Sequence, residues 1–248
     1  TIYPSINFTN PTKTNGTTQT ANAIPINVTT NDTNNHSVIL DFNNDLSLWL
    51  SFDSRNNLSD RSSNPATITN NGTNQSEYRV RGGARKFNGS AEWVRAGGAG
   101  IGGIGVDKYT LSFWVKASTQ KNNATIIEKR DDSISPLSAR YPFSIKVPFN
   151  STTLNFTISG TTNNITLTTG SVLDDSWHYI TVVSNQITME LYVDTILVNS
   201  SGFITSGDSS NDDPLYIGSN AGGNKSFNGT LDEIMIFSRA FTSTEINA

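Results

Sequence analysis

Hydrophobic and polar residues alternate with a period of two along most of the chain beyond residue 45. In the stretch 46–53, three leucines and a phenylalanine alternate with serine, tryptophan and aspartate. The stretch 109–117 has the same period, and its apolar face consists of Tyr109, Leu111, Phe113 and Val115. Such alternation is typical of a β-strand that buries one face.

Further strands are predicted at intervals of about 8 to 15 residues, with no helical segment between them. A short helical turn is predicted over 243–247, with Thr242 or Ser243 as its cap. This spacing indicates an antiparallel sandwich or jelly roll. The additional strands are predicted at 79–87, 91–96, 125–129, 143–147, 153–159, 165–169, 177–184, 188–193, 196–199, 215–218 and 231–238.

Turn-forming residues separate these strands. The pair Asn88-Gly89 predicts a hairpin between the strands at 79–87 and 91–96. Residues 60–75 are rich in turn formers and are interpreted as a loop.

Residues 1–44 differ from the rest of the chain. They contain only three short strand candidates, at 2–8, 24–29 and 38–42. Three short strands bury too little surface to be stable alone. We therefore expect this segment to pack on something else, and we place a domain boundary between residues 44 and 45.

Composition excludes several classes of protein. Only 15% of the 248 residues are charged and the net charge is −4, which argues against a nucleic-acid partner. The chain has no cysteine, which excludes a disulfide framework and a thiolate metal site. It has only two histidines, which are too few for a His-rich metal site. No apolar run reaches the 18 residues of a membrane span. The chain begins at Thr1 rather than methionine, which we interpret as a mature product or an excised piece.

Asparagine, serine and threonine replace the charged residues, with 30, 30 and 31 copies. They form 16 Asn-x-Ser/Thr sequons, whereas random placement would give about seven. This excess favours N-glycosylation, and hence an extracellular or cell-surface location, over accidental occurrence. The sequons begin at Asn7, Asn15, Asn27, Asn31, Asn35, Asn57, Asn71, Asn74, Asn88, Asn123, Asn150, Asn155, Asn164, Asn199, Asn224 and Asn228.

Seven segments occur in an order that resembles a known family. They are LSLWLSFD (46–53), GGARKFNGSAEWVRA (82–96), YTLSFWVKAS (109–118), DSWHYITVV (175–183), ITMELYVDTILV (187–198), PLYIGSN (214–220) and FNGTLDEIMIFSRAFTSTEI (227–246). Together they resemble a laminin G-like domain of the concanavalin A-like lectin/glucanase superfamily. The resemblance implies an all-β, antiparallel two-sheet jelly-roll sandwich over residues 45–248, often with a calcium ion at its rim.

One departure from that family concerns a turn. Many relatives have glycine after the aspartate of the LYVDG turn, but this chain has Asp194-Thr195. Because threonine disfavours a positive φ, we expect a different type of turn here.

Residues 1–44 resemble the first part of an immunoglobulin-like domain of archaeal and bacterial surface proteins. A partial Ig-like β segment would expose unpaired strand edges. Three outcomes are open: packing on the laminin G-like domain, completion by sequence outside this chain, or completion by another subunit. The last outcome is strand complementation, which would give a homo-polymer.

Catalysis is not expected. Glycanases of this fold need two carboxylates facing one cleft, and the Glu-x-Asp-x-x-Glu string of laminarinase-type relatives is absent. Glu128 and Glu190 are the only glutamates in mid-strand positions and are interpreted as structural or exposed. His178 has no evident partner in the sequence and is interpreted as a strand-face residue.

A structural calcium ion is expected by resemblance, with ligands from Asp53 and Asp232, because the first and last strands of such domains meet at the rim. The carbonyl of Gly89 is the third candidate ligand. The alternative is that Asp232 caps a turn or forms an ion pair with Arg239.

Among the aromatic residues, Trp93 is the candidate for stacking on a sugar ring, because it lies beside Glu92 and Arg95 near a turn. The glycine-rich stretch 97–105 carries apolar residues that suit contact with a neighbour.

Two functions follow from these features. The first is a non-catalytic recognition or adhesion module of a surface glycoprotein, with glycans or other surface proteins as partners. The alternative is a glycosylated structural subunit of a filament, sheath or surface layer.

Overall fold

The structure is a computed structural model, and the chain divides into two compact units, residues 1–40 and 41–248. The residues that the structure describes are 5–9, 27–31, 44–54, 58–76, 80, 82–97, 108–120, 122–129, 143–159, 164–202, 214–220 and 223–247.

The first unit contains a two-stranded antiparallel sheet. Strand β1 (Ser5–Thr9) pairs with β2 (Asn27–Asn31). These strands correspond to the predictions at 2–8 and 24–29, and the predicted strand at 38–42 lies outside the described residues. The Ig-like nature of this segment stays a prediction.

The second unit consists of β-strands and one short helix. In chain order these elements are β3 (Leu46–Leu50), β4 (Thr67–Asn71), β5 (Asn74–Ser76), β6 (Ala84–Asn88), β7 (Trp93–Gly97), β8 (Tyr109–Lys116), β9 (Ala124–Lys129), β10 (Phe143–Val147), β11 (Asn155–Ser159), β12 (Asn164–Thr168), β13 (His178–Ser184), β14 (Thr188–Val193), β15 (Ile196–Gly202), β16 (Leu215–Ile217), β17 (Asn228–Phe237) and α1 (Ser243–Ile246).

The strands form two antiparallel sheets, which confirms the predicted jelly-roll sandwich. The seven-stranded sheet has the order β12-β11-β10-β9-β16-β7-β4. The eight-stranded sheet has the order β15-β14-β13-β8-β17-β6-β5, and β3 pairs with β17 outside that path. On the same edge of β17, β3 faces residues 234–237 and β6 faces residues 228–231.

The core lies between the two sheets, where alternate residues of each strand point inward. Leu111, Phe113 and Val115 of β8 are fully buried, as the alternation predicted. In the other sheet, Val94 and Ala96 of β7 face the core and are also fully buried. Burying a large apolar side chain contributes about 1.5–3 kcal/mol, so this alternation determines which side chains remain outside.

The hairpin predicted at Asn88-Gly89 is wrong. Strand β6 belongs to the eight-stranded sheet and β7 to the seven-stranded sheet, so residues 88–92 carry the chain from one sheet to the other. Gly89 and Ala91 have positive φ angles of 81° and 58°. The sequence signals a chain reversal at this point, but turn chemistry does not determine which sheet the next strand joins.

The loop expected over 60–75 contains the strands β4 and β5. Both are short, polar and at the outer end of their sheet, so their sequences lack an apolar alternation. Asp60, just before them, is buried and accepts hydrogen bonds from the backbone N–H groups of Trp49, Ser62 and Ala66.

The predicted helical turn near the C-terminus is confirmed as α1. Its cap is Thr242, whose hydroxyl accepts a hydrogen bond from the N–H of Glu245 while the Glu245 carboxylate accepts one from the N–H of Thr242. Ile246 packs against Val183 and Tyr192 on the outer face of the eight-stranded sheet.

The turn at Asp194-Thr195 differs from the expectation. Both residues have positive φ angles, 50° and 70°, so threonine does not prevent this conformation. The Asp194 carboxylate is held by the N–H of Tyr179 at 2.8 Å and by the ring of His178 at 2.8 Å. These contacts favour the turn despite the steric cost of a β-branched residue there.

We predict that Thr195→Gly raises the free energy of unfolding by about 0.5–1 kcal/mol. Glycine adopts a positive φ without strain, and this gain outweighs the chain entropy that glycine adds to the unfolded state. Chemical denaturation measures this change. Thr166→Gly in the extended strand β12 is the control and should destabilise the protein. A Thr195→Gly variant no more stable than the wild type would contradict this account of the turn.

Candidate functional site

A polar row crosses the outer face of the seven-stranded sheet. Because Val94 and Ala96 face the core, Trp93 and Arg95 of β7 point to the opposite side. Arg95 lies opposite Tyr216 of β16, and Tyr216 lies opposite Glu128 of β9. The strand register therefore places an arginine, a tyrosine and a glutamate side by side.

Two aromatic rings contact each other beside this row. Trp93 and Tyr216 pack edge to face, with ring centroids 5.9 Å apart and an interplanar angle of 73°. Both side chains are only partly buried. Aromatic residues that keep one face open can stack on the apolar face of a sugar ring.

A buried ion pair lies beside these rings. The Lys146 ammonium is 2.9 Å from Glu128 Oε2, and the Glu128 side chain is 1% exposed. Glu128 Oε1 has no hydrogen-bond partner, which is costly for a buried carboxylate oxygen.

This arrangement can bind a polyhydroxylated ring. The rings provide an apolar surface, and the partly exposed side chains of Arg95 and Lys146 donate hydrogen bonds. Glu128 is the one carboxylate in the described strands of this sheet. The paired carboxylates of a glycanase are therefore not present on these strands.

The sequence suggested Trp93 as a candidate but indicated neither its contact with Tyr216 nor the position of Glu128. The missing information was the pairing of β16 with both β7 and β9. The alternation in each strand does show which residues point outward, but it does not show which strands are neighbours.

The two predicted calcium ligands lie where β3 and β6 meet along β17. Asp53 is 3.2 Å from the Arg61 guanidinium and accepts a hydrogen bond from the N–H of Gly83. Asp232 is fully buried and accepts a hydrogen bond from the N–H of Val80. Both carboxylates thus already interact with the chain.

The structure does not bring Gly89 together with Asp232. Gly89 packs against Asn228, four residues from Asp232 along β17, which corresponds to about 13 Å. The alternative ion pair with Arg239 is not found either, because Arg239 pairs with Asp45 and Glu245. Within the described residues, no group of three or more His, Asp or Glu side chains is arranged to hold a metal ion.

The surface is compatible with N-glycosylation at most of the described sequons. Side chains are described for ten of the 16 sequon asparagines, and none of the ten is buried. Asn155 and Asn199 are partly buried, and the Asn199 amide donates a hydrogen bond to the Thr168 carbonyl. The exposed ones are Asn71, Asn74, Asn88, Asn123, Asn150, Asn164, Asn224 and Asn228.

His178 has two carboxylate partners that the sequence did not reveal. Its Nδ1 is 2.8 Å from Asp194 and its Nε2 is 3.2 Å from Asp174. Partial burial lowers the pKa of His178, but the hydrogen bonds and charges of Asp194 and Asp174 outweigh burial and raise it above its ordinary value. These two carboxylates therefore favour the protonated form of His178.

We predict a pH-dependent contribution of His178 to stability. Because its folded-state pKa is raised, the contribution is complete below the ordinary value of 6.5 and is lost as the pH rises through the raised pKa. The wild type should therefore exceed His178→Gln in melting temperature by about 2 °C more at pH 5.5 than at pH 8.5. The same comparison in an Asp194→Asn background should show a weaker pH dependence. A difference that is independent of pH would contradict the raised pKa.

Within the described residues, no helix is both long and apolar enough to cross a membrane. No curated protein sequence matches the chain significantly.

The fold matches solved binding domains. That of Paraclostridial Mosquitocidal Protein 1 has a TM-score of 0.66 and 16% identity over 82% of this chain and 51% of that one. The ligand binding domain of botulinum neurotoxin serotype D, in complex with N-acetylneuraminic acid, has a TM-score of 0.66 and 17% identity over 83% of this chain and 50% of that one. The chain thus spans about half the length of these domains. The Laminin_G_3 family, described as the concanavalin A-like lectin/glucanases superfamily, matches residues 88–247, and the chain belongs to this family.

Proposed function

We propose that this chain is a non-catalytic recognition module of an extracellular glycoprotein and that it binds carbohydrate on the outer face of the seven-stranded sheet. The observation that supports the proposal is the partly exposed Trp93–Tyr216 aromatic pair beside the partly exposed donors Arg95 and Lys146. One half of the site favours the apolar face of a sugar and the other half its hydroxyl groups.

The similar binding domains support this function. One of them is described in complex with N-acetylneuraminic acid. We propose carbohydrate as the class of ligand for this chain. The abundance of exposed sequons supports an extracellular location with N-linked glycans.

We predict that Trp93→Ala weakens binding of the best uncharged ligand on a glycan array by about tenfold, because the stacking surface is lost. Isothermal titration calorimetry of that ligand measures the change. Phe149→Ala is the matched control, since Phe149 is an aromatic residue 68% exposed in the turn after β10. Equal affinity of the Trp93→Ala variant and the wild type would contradict this site.

A structural calcium ion at Asp53 and Asp232 remains part of the proposal. Both carboxylates lie at one interruption of the β17 pairing, where a cation would offset their charge. Calcium should raise the melting temperature, and Asp53→Asn should abolish the rise, whereas Asp175→Asn in an exposed turn should not. An unchanged melting temperature on adding calcium would contradict the site.

A second candidate function is self-assembly by strand complementation. The observation that favours it is that β1 and β2 form a sheet of two strands in the described part of the first unit, because a two-stranded sheet is marginally stable and benefits from a further strand. Strand β15 lies at the end of its sheet and exposes Ile196, Leu197 and Val198 by 68%, 49% and 43%. Such an edge can accept a strand from a second copy.

Assembly predicts a mass that increases with concentration in light scattering. Leu197→Lys should prevent this increase, because a charge on an edge strand opposes strand addition. Ile187→Lys is the control, since Ile187 is 67% exposed in the turn between β13 and β14. A mass of 26.9 kDa at all concentrations would exclude self-assembly of this chain.

A further inference from the structure

A second cleft lies on the outer face of the other sheet. In the register of the eight-stranded sheet, Lys86 of β6 and Lys116 of β8 both lie opposite Thr230 of β17. The three residues share the outer face, because their neighbours Phe87, Val115 and Leu231 face the core. The cleft between the two lysines has a volume of about 270 Å³.

The floor of this cleft is well ordered by hydrogen bonds. The Gln120 side chain is 5% exposed and bridges the end of β8 to the start of β17. Its amide nitrogen donates to the carbonyls of Ser118 and Asn228, and its amide oxygen accepts from the N–H of Asn228. The cleft therefore exists before a ligand binds, which lowers the entropic cost of binding.

Positive charge predominates in the cleft. Two strand spacings separate Lys86 from Lys116, so their Cα atoms are about 10 Å apart. Asp175 is the carboxylate in the lining. The lining thus offers two cationic donors and one anionic acceptor, which matches a ligand that carries both an acidic group and hydroxyl groups.

An aromatic surface continues from the cleft. Trp114 precedes Lys116 by two residues on β8, so it lies on the same face about 7 Å away. Its ring packs against Tyr179 of β13, with centroids 5.1 Å apart, and both side chains are partly exposed. A sugar ring stacked on this pair would direct a substituent towards Lys116, which lies about 7 Å from Trp114 along β8.

We propose that this cleft and the adjacent Trp114–Tyr179 pair form a second site, specific for a carboxylate-bearing saccharide. The carboxylate binds between Lys86 and Lys116, and a hydroxyl group of the same sugar donates to Asp175. The site lies on the opposite sheet from Trp93, so it acts independently of the first site.

Glycosylation of the sequon Asn228-Gly229-Thr230 would regulate ligand binding at this site. Asn228 is exposed and lines the cleft, and Thr230 forms part of its floor. A glycan on Asn228 would occupy the space between the lysines. Glycosylation of Asn228 and binding of an acidic saccharide are therefore mutually exclusive.

The test uses the full chain produced in bacteria without glycosylation, on an array of sialylated, uronate-containing and uncharged glycans. We expect retention of acidic glycans that is lost when their carboxylates are reduced to alcohols. Lys86→Gln and Lys116→Gln should each weaken this binding about tenfold, since a charge-assisted hydrogen bond is removed. Lys108→Gln is the matched control, because Lys108 is an exposed lysine just before β8, far from the cleft.

Trp93→Ala should leave the acidic glycans bound, which separates this site from the first. Three results would overturn the proposal: no retention of any acidic glycan, equal retention after carboxylate reduction, or unchanged binding in both Lys86→Gln and Lys116→Gln. Equal weakening by Lys108→Gln would show attraction by net charge alone and would also overturn it.

Discussion

The interrupted pairing of β17 is the constraint on which the sandwich depends. On one edge β17 pairs with β8, and on the other it pairs first with β6 and then with β3. At the interruption Glu233 adopts a φ of 47°, and its carboxylate accepts a hydrogen bond from the Trp49 indole at 2.6 Å. Asp232 accepts one from Val80. Each of these two buried carboxylates thus accepts a hydrogen bond from a donor outside the strand ladder.

This constraint positions both candidate binding faces. Because β17 holds β6 and β8 in register, Lys86 and Lys116 lie on either side of Thr230. The chain then crosses from β6 into the other sheet, where β7 presents Trp93. The two faces therefore belong to different sheets, and a ligand on one does not exclude a ligand on the other.

The sequence predicted much of the fold because burial follows alternation. The inward positions of β8 and the helical cap at Thr242 depend on residues close in sequence. The strands β4 and β5 were missed because they are polar edge strands, and the β6–β7 hairpin was wrong because turn residues carry no information on sheet membership.

The site was less predictable than the fold, since its members are distant in the chain. Trp93 could be selected by residue type, but Tyr216 and Glu128 join it only through strand order. The same holds for His178, whose partner Asp194 lies 16 residues away, directly after the neighbouring strand β14. Local patterns do not determine such neighbours.

The most direct test of carbohydrate binding at the Trp93 face is an NMR titration of the indole N–H signals with the best uncharged glycan from the array. The chain has four tryptophans and hence four such signals. The account predicts that the Trp93 signal moves in proportion to saturation and that the signal of Trp49, which donates to Glu233, stays in place. Saturation of the protein with no movement of the Trp93 signal would contradict the account.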